Sequence, residues 1–478
     1  MAHANSIATI DPIQAVQAET DTVADLLYDP LVTYNTQDNI VGVLAQTFAL
    51  ASDAQSVDIT LRSGPTFHDG TAVTANDVKF TLDRDLAVNA GVGAYLSDYA
   101  STTVMSPSTL TINLKTPDSF FLGMLSKIYI MEASLVTAHA GSDEGQAWLQ
   151  SHDAGSGPYM VGAENTLSDI TVDRYAKYWN YDPTRPTSIR ILEVDQSATE
   201  AADLESGTVD MALKLTSADA ESVNGKDGIT TAWINSGLTE YMFMNPNVGP
   251  TANVLVRKAL QDAYDYAGGL AQVWDGKGTL IKGPLPPTLS CEPTLPGYSQ
   301  NLTEAKALLA QAGVTNLHLT MRYQPALSEF TQEATLFQSN LKQIGVTLDL
   351  VPITFSAYLA SLSNTANIPQ IMLLGDVPRF PDTGIYLNYV YNSKSVGTNY
   401  SGFSNPQVDA LLNQAEMTSS ASTRCSLEEQ AQTIIYNQAV SVNMYTYQQP
   451  VSYRAGITGV VASPNANPIT LSTLRISS

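Results

Sequence analysis

The chain has 478 residues, with 46 acidic against 23 basic side chains and a formal net charge of −23. Nucleic acid and anionic membrane surfaces need clustered Lys and Arg, so this balance argues against both as the main partner. At 44% hydrophobic and 14% charged the composition is that of a globular chain, and the length exceeds what one core serves, so two or three lobes are expected.

No run of about 18 apolar residues occurs, so no segment reads as a membrane span. The opening MAHANSIATIDP lacks the basic segment and apolar stretch of a signal peptide, so a secreted protein would stand here in its mature form. Residues 22–34, TVADLLYDPLVTY, space their apolar side chains as a helix and then meet Asp29-Pro30, a helix stop. Residues 57–61, VDITL, and 109–114, TLTINL, alternate as strands. Between them His68 and Asp69 stand side by side, a pair that invites a catalytic or metal-binding reading. Asp69-Gly70 is also a turn pair, and Thr74 and Asp77 are spaced as a helix cap and its return partner, so the expectation is a turn that launches a helix. GSGPYMV (155–161), ITVDR (170–174) and YWN (178–180) precede a strand over 188–194 and a helix over 198–207 closed by Gly207. TEYMFMN (239–245) reads as a strand and 254–266 as an amphipathic helix. Five prolines mark 283–297 as the strongest loop. A helix over 301–313, a strand over 317–323, a helix over 331–344 and a strand over 346–351 suggest a separate α/β lobe beginning near residue 247. The tail, 457–474, has strand character suited to a return to the first lobe.

The motifs of covalent chemistry are missing. The five histidines include no i,i+4 pair, and no HExxH, GxSxG, Walker A or GxGxxG sequence occurs. His139 and His152 flank Asp143 and Glu144 at no defensible zinc spacing, and His318 reads as a strand residue, so neither metal nor cofactor is expected. Cys291 and Cys425 have no CxxC neighbour; they read as one long-range disulfide, or else as two buried thiols. Tyr386, Tyr389, Tyr391 and Tyr400 cluster with Asn388, Asn392 and Asn399, which fits either strand and loop packing or the wall of an amphipathic pocket.

The stretch 61–84, LRSGPTFHDGTAVTANDVKFTLDR, resembles the signature of the family 5 extracellular solute-binding proteins, the peptide and nickel receptors of bacterial ABC importers. The resemblance extends through DPLVTY (29–34), GSGPYMV, YWN, LESGTVDMA (204–212), VRKALQDAYD (256–265), GPLPP (283–287), EAKALLAQAG (304–313), LKQIGVTLDL (341–350) and FSNPQVDALLNQA (403–415). It implies an α/β fold like that of the periplasmic binding proteins: a two-lobed Venus flytrap (type II, cluster C) with an extra inserted domain. The first lobe would be 1–45, 156–246 and 456–478, the inserted domain 46–155 and the second lobe 247–455. It further implies a monomeric extracytoplasmic receptor, periplasmic or lipid-anchored at the cell surface. Such a receptor closes on a solute between its lobes and presents it to a membrane permease, without covalent chemistry.

In peptide-binding members of the family an aspartate in a late loop commonly pairs with the ligand's α-amino group. The matching loop here is 373–391, LLGDVPRFPDTGIYLNYVY, which makes Asp376 the expected amine anchor, against the plainer reading of a cap after the strand QIMLL. Leu373 replaces the family's tryptophan, and Arg379 adds a charge that either meets a ligand carboxylate or neutralises Asp376 or Asp382. Tyr95 stands where the inserted domain of the family contributes an aromatic, and Tyr386 and Asn388 complete the expected substrate-binding set. No histidine follows His318, which speaks against nickel, and four tryptophans offer sugars few platforms. The expected ligand is a short peptide or amino-acid-derived solute, with an opine or oligosaccharide as the alternative. A secreted hydrolase and a sensor or partner protein on the same fold are the rival classes.

Overall fold

The computed structural model describes residues 2–3, 7–162, 168–325, 328–463 and 469–477. The chain forms two compact units: unit 1 comprises Met1–Ser236, Met417–Ser419 and Gln449–Ser478, and unit 2 comprises Gly237–Glu416 and Ser420–Gln448. No helix among the described residues is long and apolar enough to cross a membrane.

Unit 1 contains a seven-stranded sheet in the order Ile229–Ile234, Gln449–Arg454, Met211–Ala212, Ala2–His3, Ser188–Glu193, Asp169–Arg174 and Tyr159–Val161. Gln449–Arg454 lies between two strands from much earlier in the chain and runs antiparallel to both. The tail returns to this unit, although residues 464–468 lie outside the described residues. A second, four-stranded antiparallel sheet follows the order Ala45–Leu50, Ser56–Leu61, Thr109–Leu114 and Tyr99–Ser106. Its period-two pattern is visible in Ser56–Leu61, where Val57, Ile59 and Leu61 are buried and Asp58 is exposed.

The His68-Asp69 pair is structural. Asp69 Oδ1 accepts from the backbone N of Thr71 at 2.7 Å and from its hydroxyl at 2.8 Å, closing the turn. His68 is held by Asp153 Oδ1 at 2.5 Å and packs edge-on against Tyr175. The helix Ala75–Val88 then starts at the expected capping box of Thr74 and Asp77. GSGPYMV is also explained by packing. A Cβ on Gly155 would lie 1.9 Å from the Leu27 carbonyl oxygen, and one on Gly157 2.5 Å from the Leu27 carbonyl carbon, so these positions admit only glycine.

Unit 2 is built on a six-stranded mixed sheet in the order Gly278–Leu280, Ser441–Tyr447, Thr239–Met244, Ile371–Asp376, His318–Tyr323 and Thr347–Pro352. Thr239–Met244 is buried at all six positions, as its near-continuous apolar sequence requires for a central strand. The helix Leu302–Gln311 begins at Asn301, whose side chain accepts from Glu304 N, and Ser328–Gln343 begins three residues before the expected start. Cys291 in the proline-rich loop is bonded to Cys425 on the helix Ala421–Gln438, with 134 residues of separation, so the disulfide reading holds.

One expectation is corrected. Residues 373–391 are not a loop. The strand Ile371–Asp376 runs into them, and a helix, Thr383–Tyr391, occupies their second half. Its residues are mostly aromatic, β-branched or glycine, poor helix formers by propensity. The helix forms because the Asp382 side chain accepts from Ile385 N at 3.0 Å, and because Tyr386, Leu387, Val390 and Tyr391 are buried in the core.

Candidate functional site

Asp376 is the last residue of a strand, paired across the ladder with Thr239. Where the strand leaves the sheet, its carboxylate turns into a wall of aromatic side chains. Tyr400 donates its hydroxyl to Asp376 Oδ1 at 3.1 Å. Oδ2 is buried and receives no hydrogen bond among the described residues. The Tyr386 hydroxyl donates to Tyr241 at 3.2 Å. The Tyr391 hydroxyl donates to the Pro284 carbonyl at 3.3 Å. Phe243 stands 5.2 Å from Tyr400 and 5.1 Å from Tyr241, ring to ring, and closes the wall.

Burial pushes the Asp376 carboxyl up to about 6, against the opposing pull of the Arg379 charge and of the Tyr400 hydrogen bond. Arg379 lies 4.2 Å over the ring of Tyr389, a cation–π contact that fixes its position three residues from the carboxylate. Asp382 is committed elsewhere: besides capping its helix it faces Arg424 at 3.6 Å. The Arg379 charge acts on Asp376, holding its carboxyl lower than burial alone would.

The structure brings Asp376, Arg379 and Tyr386 together. Asn388 is bound into its own helix end, its Oδ1 accepting from Asn392 at 2.8 Å, while its Nδ2 is buried without a partner among the described residues. Tyr95 belongs to unit 1, in the short 3₁₀ segment Gly91–Leu96, half-buried against that unit's core. Leu373, at the family's tryptophan position, is fully buried in the unit 2 core. Tyr400 and Tyr241 were not among the expected site residues. Tyr400 stood inside the noted tyrosine cluster, but Tyr241 lies in a strand buried on both faces, where alternation carries no signal. His139 and His152 each stack on Trp148, with centroids at 4.5 and 4.8 Å, an arrangement of ring packing rather than chelation.

Comparison with known proteins agrees with this geometry. The pattern of the bacterial extracellular solute-binding proteins, family 5 Middle, matches residues 39–398. The probable D,D-dipeptide-binding periplasmic protein DdpA of Escherichia coli (strain K12) is 24% identical over 468 residues, covering 95% of this chain and 90% of that protein. The glutathione-binding protein GsiB of Pectobacterium atrosepticum is 25% identical over 483 residues, covering 96% and 91%. The solved structure of DppA from Helicobacter pylori in complex with the peptide STSA superimposes with a TM-score of 0.83 at 20% identity, covering 100% of this chain and 97% of that one. The α/β fold is that of the family 5 periplasmic binding proteins. The chain belongs to the bacterial extracellular solute-binding proteins of family 5, receptors of peptide- and nickel-type ABC importers rather than enzymes.

Proposed function

We propose that this receptor works outside the cytoplasm and captures a short peptide or related amino-acid-derived solute by its protonated amine, with Asp376 as the counter-charge. The observation that carries this reading is the buried Oδ2 of Asp376, which has no hydrogen-bond donor while Oδ1 is held by Tyr400. A buried carboxylate oxygen without a donor is costly, and an ammonium group supplies the missing hydrogen bond with opposite charge. Tyr389, partly buried and beneath Arg379, offers a rigid face for a ligand side chain, while Tyr241, Tyr386 and Tyr391 are packed in the core behind it. Relatives named for D,D-dipeptides and glutathione support a peptide-like ligand. In the same reading Arg379 meets a ligand carboxylate, Tyr386 orients the anchor, and Asn388 and Tyr95 add contacts. The expected lobe division, 1–45, 156–246 and 456–478 with 46–155 inserted and 247–455 as the second lobe, enters the proposal with two edges moved: Thr239–Met244 goes with the second lobe and Gln449–Arg454 with the first, as their sheets require, and the separate four-stranded sheet within 45–114 supports an insertion. Delivery of the solute to a membrane permease completes the role.

The test is a thermal-shift screen of di- to pentapeptides, their N-acetylated forms, opines and oligosaccharides. A ligand at roughly 100 times its Kd should stabilise by about 2.7 kcal/mol. Free-amine peptides should shift the melting temperature and acetylated ones should not. Equal shifts from both would remove the amine anchor, and a response to oligosaccharides alone would remove the peptide reading.

A further inference from the structure

Unit 2 buries two carboxyl groups that the Asp376 site does not use. Glu240 lies on the central strand Thr239–Met244 and Glu333 on the helix Ser328–Gln343, and both are fully buried. Glu333 accepts hydrogen bonds from the hydroxyls of Tyr264 and Tyr445, one on each oxygen. Glu240 Oε2 accepts from Trp274 Nε1 at 2.9 Å, and its Oε1 has no hydrogen-bond partner among the described residues. The other titratable groups around them are Glu329, on the same helix as Glu333, Tyr447, stacked on Trp274 at 3.7 Å, and Tyr266, edge-on to Tyr264. The neighbouring strand contributes Gly375, directly opposite Glu240, and then Asp376. Among the described residues no Arg, Lys or His forms an ion pair with either carboxyl, and no cationic group opposes their burial.

Two charged carboxylates without a cation are costly in a buried core, and retention of a proton relieves the cost. Burial raises both groups, and the charge of Glu333 raises Glu240 further. The orphan Oε1 of Glu240 is where a proton gains most. A hydroxyl there becomes a donor, whereas both oxygens of Glu333 are already stabilised as acceptors. We propose that Glu240 is held protonated in the core of unit 2, and that together with the buried Glu333 it forms a proton-dependent lock on the central strands, opened by alkaline pH. Loss of the proton leaves uncompensated charge buried at Thr239–Met244 and loosens that strand together with its partner strand Ile371–Asp376.

The sign follows from linkage. An acid whose folded form binds its proton more tightly stabilises the fold at low pH and loses that contribution as pH rises. Glu240→Gln puts an amide N–H where the proton sits and cannot ionise. The wild-type melting temperature should fall by several degrees more than that of E240Q between about pH 6 and pH 9. Because other buried carboxyls contribute equally to both proteins, the difference between the two curves isolates the pair. Amide exchange of residues 371–376, corrected for intrinsic rates, should accelerate at the alkaline end in the wild type only. Parallel melting curves overturn the lock. Should E240Q fail to fold, amide exchange in the wild type alone, corrected for intrinsic rates, decides the matter: acceleration of residues 239–244 between about pH 6 and pH 9, without acceleration of residues 56–61 in unit 1, supports the lock, and equal behaviour of the two segments refutes it.

Discussion

Burial raises the Asp376 carboxyl despite the Arg379 charge beside it, and in the proposed site a ligand ammonium adds the second cation that favours its charged form. Without ligand, its raised value, about 6, means a contribution to stability that is full below the ordinary carboxylate range and is lost as pH rises through about 6. Ligand affinity runs the opposite way. An ammonium pairs only with the charged form, so affinity for a free-amine peptide should fall as pH drops below about 6, approaching tenfold per unit. Calorimetric titration across that range should show the decline in the wild type and a weak, nearly flat response in Asp376→Asn. Asp376→Ala should cost roughly 2–5 kcal/mol of binding, the usual penalty for removing one partner of a buried charge pair. Arg379 separates from it in the same measurement: Arg379→Ala should weaken ligands with a free carboxylate and spare their amides. Equal losses for acid and amide would leave Arg379 with the single role of tuning Asp376.

At the scale of elements, the clearest contrast is between two helices. Ala75–Val88 is legible in the sequence because its start signal is local: Thr74 and Asp77 are three residues apart and cap one another. Thr74→Ala should cost about 1 kcal/mol, read as a lower melting temperature for unit 1 with ligand affinity unchanged. Thr383–Tyr391 was not legible, because only its cap is local. What holds it is the burial of Tyr386, Leu387, Val390 and Tyr391 against strands distant in sequence. The site shows the same division. Asp376 and Arg379 were reachable through motif resemblance. The hydroxyl on Asp376 comes from Tyr400, 24 residues away, and the partner of Tyr386 comes from Tyr241, 145 residues away. Such meetings are set by sheet order and register, which no local pattern encodes.

For the molecule as a whole, the motif order foretold the family fold, while the strand pairings that close each unit required the structure. The disulfide ties only unit 2, and a closed loop of this length is worth about 4–5 kcal/mol. Reduction, or a Cys291→Ser/Cys425→Ser double variant, should therefore lower a unit 2 transition followed by exchange of residues 371–376, and leave the unit 1 transition near its original temperature. Equal shifts in both would show that the units unfold together. Unit 1 has its own dependence on the end of the chain. Its sheet has a gap between Ile229–Ile234 and Met211–Ala212 until Gln449–Arg454 fills it. A ribosome releases this strand only after the whole of unit 2, so the ladder of unit 1 closes after the chain of its neighbour has been made.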